Sequence, residues 1–280
     1  MKPAIVMQSD FTKGVATCTM DGVIACVDPE IRTYDCCHTI PPFDTYAASC
    51  ALNYIIDFWP KGTIFVSVVD PGVGTDRKAC IAKLRNGCYV VTPDNGTLTH
   101  VKNRIGIEEV RIIDETKNRL QTTREVSIFH GRDLFAYCAA KLASGMIDYA
   151  GVGPVYSTDE IVVHKTVLPK VENDILSGMI ETSTRGFGLV DTNIPYKMFE
   201  QIHVSQGDRV LCKVLHKGKE IFSEVISYVP SFGFVPEGDV LVMVSETKHL
   251  QIAENLGDIS TRYNIGTGPD WKIQFRKEEG

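Results

Sequence analysis

The first 160 residues alternate between short apolar runs and longer amphipathic stretches. Residues 5–7 are apolar and end in Ser9-Asp10-Phe11, which predicts a first strand leading into a polar loop. Residues 16–27 predict a helix closed by Asp28-Pro29, and residues 31–36 a second strand. Pro41-Pro42-Phe43-Asp44 opens another helix, with Asp44 as its N-cap. There Ala47, Cys50, Ala51, Tyr54, Ile55 and Phe58 recur at helical spacing and mark one apolar face. Pro60-Lys61-Gly62 ends that helix, and the β-branched run 63–69 predicts a buried strand. Strands are also expected at 80–84, 88–91 and 110–113. Asp133 is placed to cap a helix that turns Phe135, Cys138, Ala139 and Leu142 inward and stops at Gly145. Such alternation predicts an α/β domain whose mostly parallel sheet is covered by helices.

Beyond residue 165 the pattern changes. Residues 210–215, 220–229, 239–245 and 271–275 are short strand-like runs. Turn signals such as His216-Lys217-Gly218 and Pro236-Glu237-Gly238 separate them. A small all-β, barrel-like C-terminal domain is expected. Pro169 and mixed charge interrupt the periodicity between 164 and 173, which sets the expected domains at 1–165 and 172–280.

Composition narrows the class. A chain of 280 residues is long enough for two domains, and 44% hydrophobic with 23% charged residues is ordinary for a globular protein. The net charge of −6, with no basic block, argues against nucleic acid as a partner. No apolar run approaches the roughly 18 residues of a membrane span. The N-terminal apolar run reaches Gln8-Ser9-Asp10 too soon for a signal peptide. Nine cysteines are scattered without a C-x-x-C pair, and Cys36-Cys37-His38 is too compressed for a structural zinc site. Reduced thiols in a cytoplasmic protein are expected, and no metal ligands are assigned.

Candidate chemistry lies where strands end. Asp70-Pro71-Gly72-Val73-Gly74-Thr75-Asp76-Arg77 sets an acid and a guanidinium on one Gly-rich turn after strand 63–69. Loops leaving the carboxyl ends of buried strands are where α/β proteins place their sites. Read alone, the segment is also compatible with a plain Asp-Pro-Gly turn beside a surface Arg. His130-Gly131-Arg132-Asp133 again puts a histidine at a strand-to-helix turn, and Pro93-Asp94-Asn95-Gly96 is ordinary turn chemistry. No G-x-G-x-x-G, Walker or H-E-x-x-H spacing occurs.

Taken together, Ser-Asp-Phe, Pro-Pro-Phe-Asp, Val-Val-Asp-Pro-Gly-Val-Gly-Thr-x-Arg, Pro-Asp-Asn-Gly and Phe-His-Gly-Arg-Asp, in this order, resemble the adenosine-forming S-adenosylmethionine hydrolases. These are also called S-adenosylmethionine hydroxide adenosyltransferases, and the fluorinases and chlorinases share their scaffold. The resemblance spans nearly the whole chain. It implies an α/β domain followed by a β domain, a homotrimer, and a nucleoside held between the first domain of one subunit and the second of its neighbour. It implies S-adenosylmethionine as substrate and no cofactor. Asp70, Arg77 and His130 match the hydrolase triad that handles the attacking water. The halogenases differ at the Asp and His positions. Asp10 matches the ribose-binding acid, Phe43 an aromatic near the sugar, and Phe129 a wall of the same pocket. Phe187 and Phe232 match the aromatics that sandwich adenine, and Asn193, in the retained Thr-Asn-Ile segment, is expected with them among the substrate-binding residues.

The chain departs from the family where methionine is held. The amine-binding Asp is Thr184, the Phe-Gly-Asn segment reads Phe187-Gly188-Leu189, and the carboxylate-binding turn reads Ser245-Glu246-Thr247-Lys248-His249. The loop after Asp10 lacks the Gly that follows Phe in the family. Losing a charge-assisted hydrogen bond costs on the order of 1.5–3 kcal/mol, so weak methionine binding is expected. The reading is therefore hydrolysis of S-adenosylmethionine by water attack at C5′. Asp70 orients the water, and Arg77 stabilises its hydroxide character. Its rivals are a halide-using adenosyl transferase and a non-catalytic adenosine-binding trimer.

Overall fold

The structure is a computed structural model that describes residues 2–278. The chain divides after His164 into two compact units. The first is built on a seven-stranded sheet of β1 (Ile5–Ser9), β2 (Thr33–Cys37), β3 (Ile64–Val68), β4 (Ala79–Leu84), β5 (Tyr89–Pro93), β6 (Ile107–Ile112) and β7 (Val155–Tyr156). Their spatial order is β2-β1-β3-β5-β4-β6-β7. The β2-β1-β3-β5 half is parallel. The rest is antiparallel, because β4 and β5 form a hairpin and β6 and β7 add to its edge.

Helices α1 (Val15–Val27), α2 (Thr45–Ile55), α3 (Thr99–Arg104), α4 (Glu115–Asn118) and α5 (Tyr137–Ser144) cover this sheet. Side chains alternate between its faces with period two. On one face Met7, Val66, Val68 and Ile81 pack against Met20 and Ile24 of α1 and Cys138 and Ala139 of α5. On the other, Val6, Phe65, Cys80 and Ala82 meet Leu52, Ile56 and Val101. Burial on both faces is why strands 63–69 and 80–84 read as continuous apolar runs.

Two helix details differ from the sequence reading. The buried side of α2 is Thr45, Ala48, Ser49, Cys50 and Leu52, while Tyr54 and Phe58 are exposed. Two polar residues on the inward face hid its direction. Ser49 is buried because its hydroxyl bonds the backbone N–H and ring of His100. The second concerns Asp133, which is not a cap. A π-helical segment, Gly131–Ala136, precedes α5 with His130 as its flanking residue. Asp133 lies within it, fully buried and held by Arg132 at 2.6 and 3.0 Å.

The second unit is a closed barrel. Its strands are β8 (Lys170–Glu172), β9 (Ile175–Thr184), β10 (Leu189–Pro195), β11 (Arg209–His216), β12 (Lys219–Tyr228), β13 (Val240–Val244), β14 (His249–Glu254) and β15 (Gly268–Lys277), with the short helix α6 (Ile259–Arg262) before the last. The order β10-β14-β13-β12-β11-β15-β9 closes through a β9–β10 pairing, and β8 adds to β9. Closure removes exposed edges from the ring. Ile180, Val190, Phe222, Leu250, Ile252 and Phe275 are among the side chains that fill the interior. A second, smaller apolar patch joins Leu241, Met243 and Ala253 to Leu189, Phe232 and Val235. Strand alternation puts that patch on the outside of the barrel.

Candidate active site

Asp70 follows β3 directly, so the strand's burial fixes where its carboxylate starts. Beyond it the chain turns tightly. Val73 N–H donates to Asp70 O at 3.2 Å, and Thr75 gives its N–H and hydroxyl to Gly72 O at 3.1 and 2.7 Å. Gly74 has φ +77°, and a Cβ there would stand 3.1 Å from Ser127 O. Glycine therefore allows both the left-handed turn and the close approach of the segment that carries His130. From outside, Asn95 Nδ2 donates to Val69 O at 2.8 Å and pins the strand end. This gives Pro93-Asp94-Asn95-Gly96 a purpose that turn chemistry alone did not reveal. Its Asp94 accepts from Tyr156 Oη and Val162 N and braces unit 1.

The turn brings Arg77 back onto Asp70. Arg77 Nε lies 3.0 and 3.1 Å from the two carboxylate oxygens, and Nη2 lies 2.5 Å from Oδ2. The same Nη2 stands 2.8 Å from His130 Nδ1. A guanidinium only donates, so Nδ1 accepts and the imidazole is neutral with its proton on Nε2. Burial pushes the His130 pKa below its ordinary value, and the charge of Arg77 pushes it further. The guanidinium also lies 5.4 Å from the Phe135 ring centroid, within cation–π range. All three side chains are largely buried, and His130 Nε2 is buried with no hydrogen-bond partner among the described residues. Leaving such a donor unmatched costs about 1–3 kcal/mol. It marks the point where an acceptor belongs.

Two other predicted residues meet in the same unit. Asp10 Oδ2 accepts from Phe43 N at 2.9 Å, which ties the loop after β1 to the one before α2. Phe43 has φ +68° and is 71% exposed, so its ring is free to cover a ligand. Phe129 meets Phe11 edge-on at 5.5 Å, and both rings close over Gly131, where a Cβ would stand 3.0 and 3.1 Å from them. The sequence reading missed what holds the Asp10 loop. Ser9 Oγ lies 2.7 Å from His38 Nδ1, and His38 Nε2 lies 3.0 Å from Asp35, which also pairs with Lys13. Thr12 N–H donates to His38 O at 2.8 Å. Cys36-Cys37-His38 drew attention only as a metal spacing, whereas its histidine is a brace.

The remaining three predicted residues belong to the second unit. Phe187 is 75% exposed in the β9–β10 turn, and Phe232 packs on the outer apolar patch with Leu189. Asn193 spends its amide within the chain, accepting from Met179 N at 2.9 Å and donating to Val167 O at 2.6 Å.

Comparison with known proteins identifies the family. The SAM hydroxide adenosyltransferase N-terminal domain matches residues 5–153, and the C-terminal domain of the same name matches residues 186–272. An (R)-S-adenosyl-L-methionine hydrolase of Salinispora tropica is 32% identical over 92% of each chain. A fluorinase of an Actinoplanes species is 26% identical over 95% of each. The crystal structure of an uncharacterized conserved protein from Thermotoga maritima superimposes with a TM-score of 0.85 at 34% identity, covering 97% of this chain and 99% of that one. The chain belongs to the SAM hydroxide adenosyltransferase family.

Proposed function

We propose that this protein hydrolyses S-adenosyl-L-methionine to adenosine and L-methionine by attack of water on C5′. The supporting observation is the single guanidinium shared between Asp70 and His130, beside a buried imidazole N–H that no described residue accepts. The water oxygen bonds to C5′ while the C5′–S bond breaks. Its electron pair goes to sulfur, so a neutral thioether leaves and no acid is required. The difficulty is the nucleophile, since free water is a very weak acid and holds its proton at neutral pH. Fixed donors aimed at the developing hydroxide lower that barrier. Arg77 supplies positive charge, and its Nη1 has no partner among the described residues. His130 Nε2–H donates a second hydrogen bond. Asp70 accepts from the water and aligns a lone pair with C5′, and the proton passes to solvent.

Asp10 binds the ribose diol, Phe43 covers the sugar, and Phe129 walls the pocket. Phe187 and Phe232 stack on adenine from a neighbouring copy in a homotrimer, with Asn193 fixing the strand beside them. No cofactor is assigned. Among the described residues no helix is long and apolar enough to cross a membrane, and we place the protein in the cytoplasm. The test is incubation of the purified protein with S-adenosyl-L-methionine, with and without chloride or fluoride. Adenosine and methionine in equal amounts, independent of halide, support hydrolysis. A 5′-halo-5′-deoxyadenosine identifies a halide transferase, and bound but unconverted ligand a binding protein.

A further inference from the structure

Thr184 leaves the family's amine-binding position without charge, yet an unneutralised carboxylate stands close by on the same sheet. Leu189 pairs with Thr184 across the β9–β10 ladder, and Asp191 pairs with Thr182. Residues two apart on a strand share a face and lie roughly 7 Å apart. Val190 and Thr192 point into the barrel and are buried, so Asp191 and Leu189 share the outer side. Leu189 joins the patch that holds Phe232. On the other flank Asp191 pairs with Gln251 of β14.

Both neighbours hold the carboxylate in place. Thr182 Oγ1 donates to Oδ2 at 2.5 Å, and Gln251 Nε2 donates to Oδ1 at 2.6 Å. Among the described residues no lysine or arginine forms an ion pair with Asp191. Burial raises its pKa above the ordinary carboxylate range, the two hydrogen bonds oppose this, and Glu246 adds to the rise. A half-buried acid fixed by two neutral donors is poised for a cation. On β14, His249 lies two residues before Gln251 and so shares its face, at the end of the turn that carries Glu246 and Lys248.

We propose that Asp191 is the specificity residue for the ammonium group of the substrate's amino-acid end, in place of the acid absent at Thr184. This assignment rests on the hydrolase reading. It replaces the expectation of weak methionine binding with recognition displaced along the ladder. The product complex tests it without turnover. L-Methionine and 4-(methylthio)butanoate, which lacks only the amine, are titrated calorimetrically into adenosine-saturated wild type and Asp191→Asn. The expected result is a preference for methionine of at least about tenfold in wild type, lost in Asp191→Asn while adenosine affinity is unchanged. Adding Thr184→Asp to Asp191→Asn should restore part of it. A wild type that does not discriminate between the two ligands overturns the proposal, as does an Asp191→Asn variant that still does. Adenosine release from S-adenosylmethionine is assayed separately. Discrimination without release rejects the hydrolase reading alone, and release without discrimination rejects the role of Asp191 alone.

Discussion

Arg77 Nη2 lies 2.5 Å from Asp70 Oδ2 and 2.8 Å from His130 Nδ1, so one nitrogen fixes both an acid and an imidazole. Its two hydrogens are committed to those two partners. Arg77→Ala should lower kcat by about 10²–10³-fold, the usual effect of removing a donor from an anion-stabilising site, with adenosine affinity unchanged. Arg77→Lys should rescue little, because a point-charge ammonium lacks the planar fork that reaches both partners. Steady-state kinetics beside adenosine titration check this, and Arg77→Ala with near-normal kcat contradicts it.

His130 gives the reaction an acidic limb. Its folded-state pKa is depressed by burial and by Arg77, while an unfolded histidine titrates near 6.5. Above that value the ring is neutral in both states, and Nδ1 accepts from Arg77. As pH falls below it, the unfolded chain takes up a proton first, so stability declines. Activity is lost at still lower pH, when His130 itself becomes charged opposite the guanidinium. A pH profile of kcat/KM should therefore be flat near neutrality, stay flat through about pH 6.5, and fall only at lower pH, once His130 of the folded protein is protonated. An activity that rises on acidification contradicts the neutral tautomer.

Gly74 is the backbone hinge of the site. Gly74→Ala places a side chain at φ +77° and 3.1 Å from Ser127 O. The left-handed conformation alone costs about 1–2 kcal/mol. Urea unfolding should show a loss of at least that size, and kcat should drop as the Asp70–Arg77 turn shifts away from His130. Unchanged stability and activity would show that the turn tolerates a Cβ.

His38 holds the Asp10 loop through Ser9 and lies outside the triad. His38→Ala should raise KM and weaken adenosine binding severalfold, with kcat within about twofold, because it loosens ligand binding rather than chemistry. An equal loss in kcat would place His38 in the reaction itself.

Assembly is tested by sedimentation. A homotrimer is expected, and a stable monomer that retains full activity contradicts the proposal that a neighbouring copy supplies Phe187 and Phe232.

The sequence made the Asp70–Arg77 turn legible for a physical reason. The run ending at Val69 is buried on both faces, and the acid, the glycines and the arginine follow it without interruption. His130 was visible as a turn residue before a helix, but not the π-helical segment that seats it, since that has no simple periodic signature. The strands of the second unit were harder to read. In β10, Thr192 faces inward and breaks the alternation; it is satisfied by donating to Leu250 O at 2.7 Å. In β9, Gly178 interrupts the pattern because a Cβ there would stand 2.4 Å from the Ile194 side chain. The outward row Thr182, Asp191 and Gln251 reads as ordinary surface polarity until pairing brings it together across three strands. The bracing roles of His38 and Asn95 are not legible in the sequence because they lie in long-range hydrogen bonds, which local spacing does not encode.

The most direct measurement is the fate of labelled oxygen. The protein is incubated with S-adenosyl-L-methionine in H₂¹⁸O, and the adenosine is examined by mass spectrometry. Attack at C5′ predicts one ¹⁸O atom in the 5′-hydroxyl of every adenosine formed, with unlabelled methionine, and no product from Asp70→Ala. Absence of adenosine, or adenosine without the label, contradicts the account.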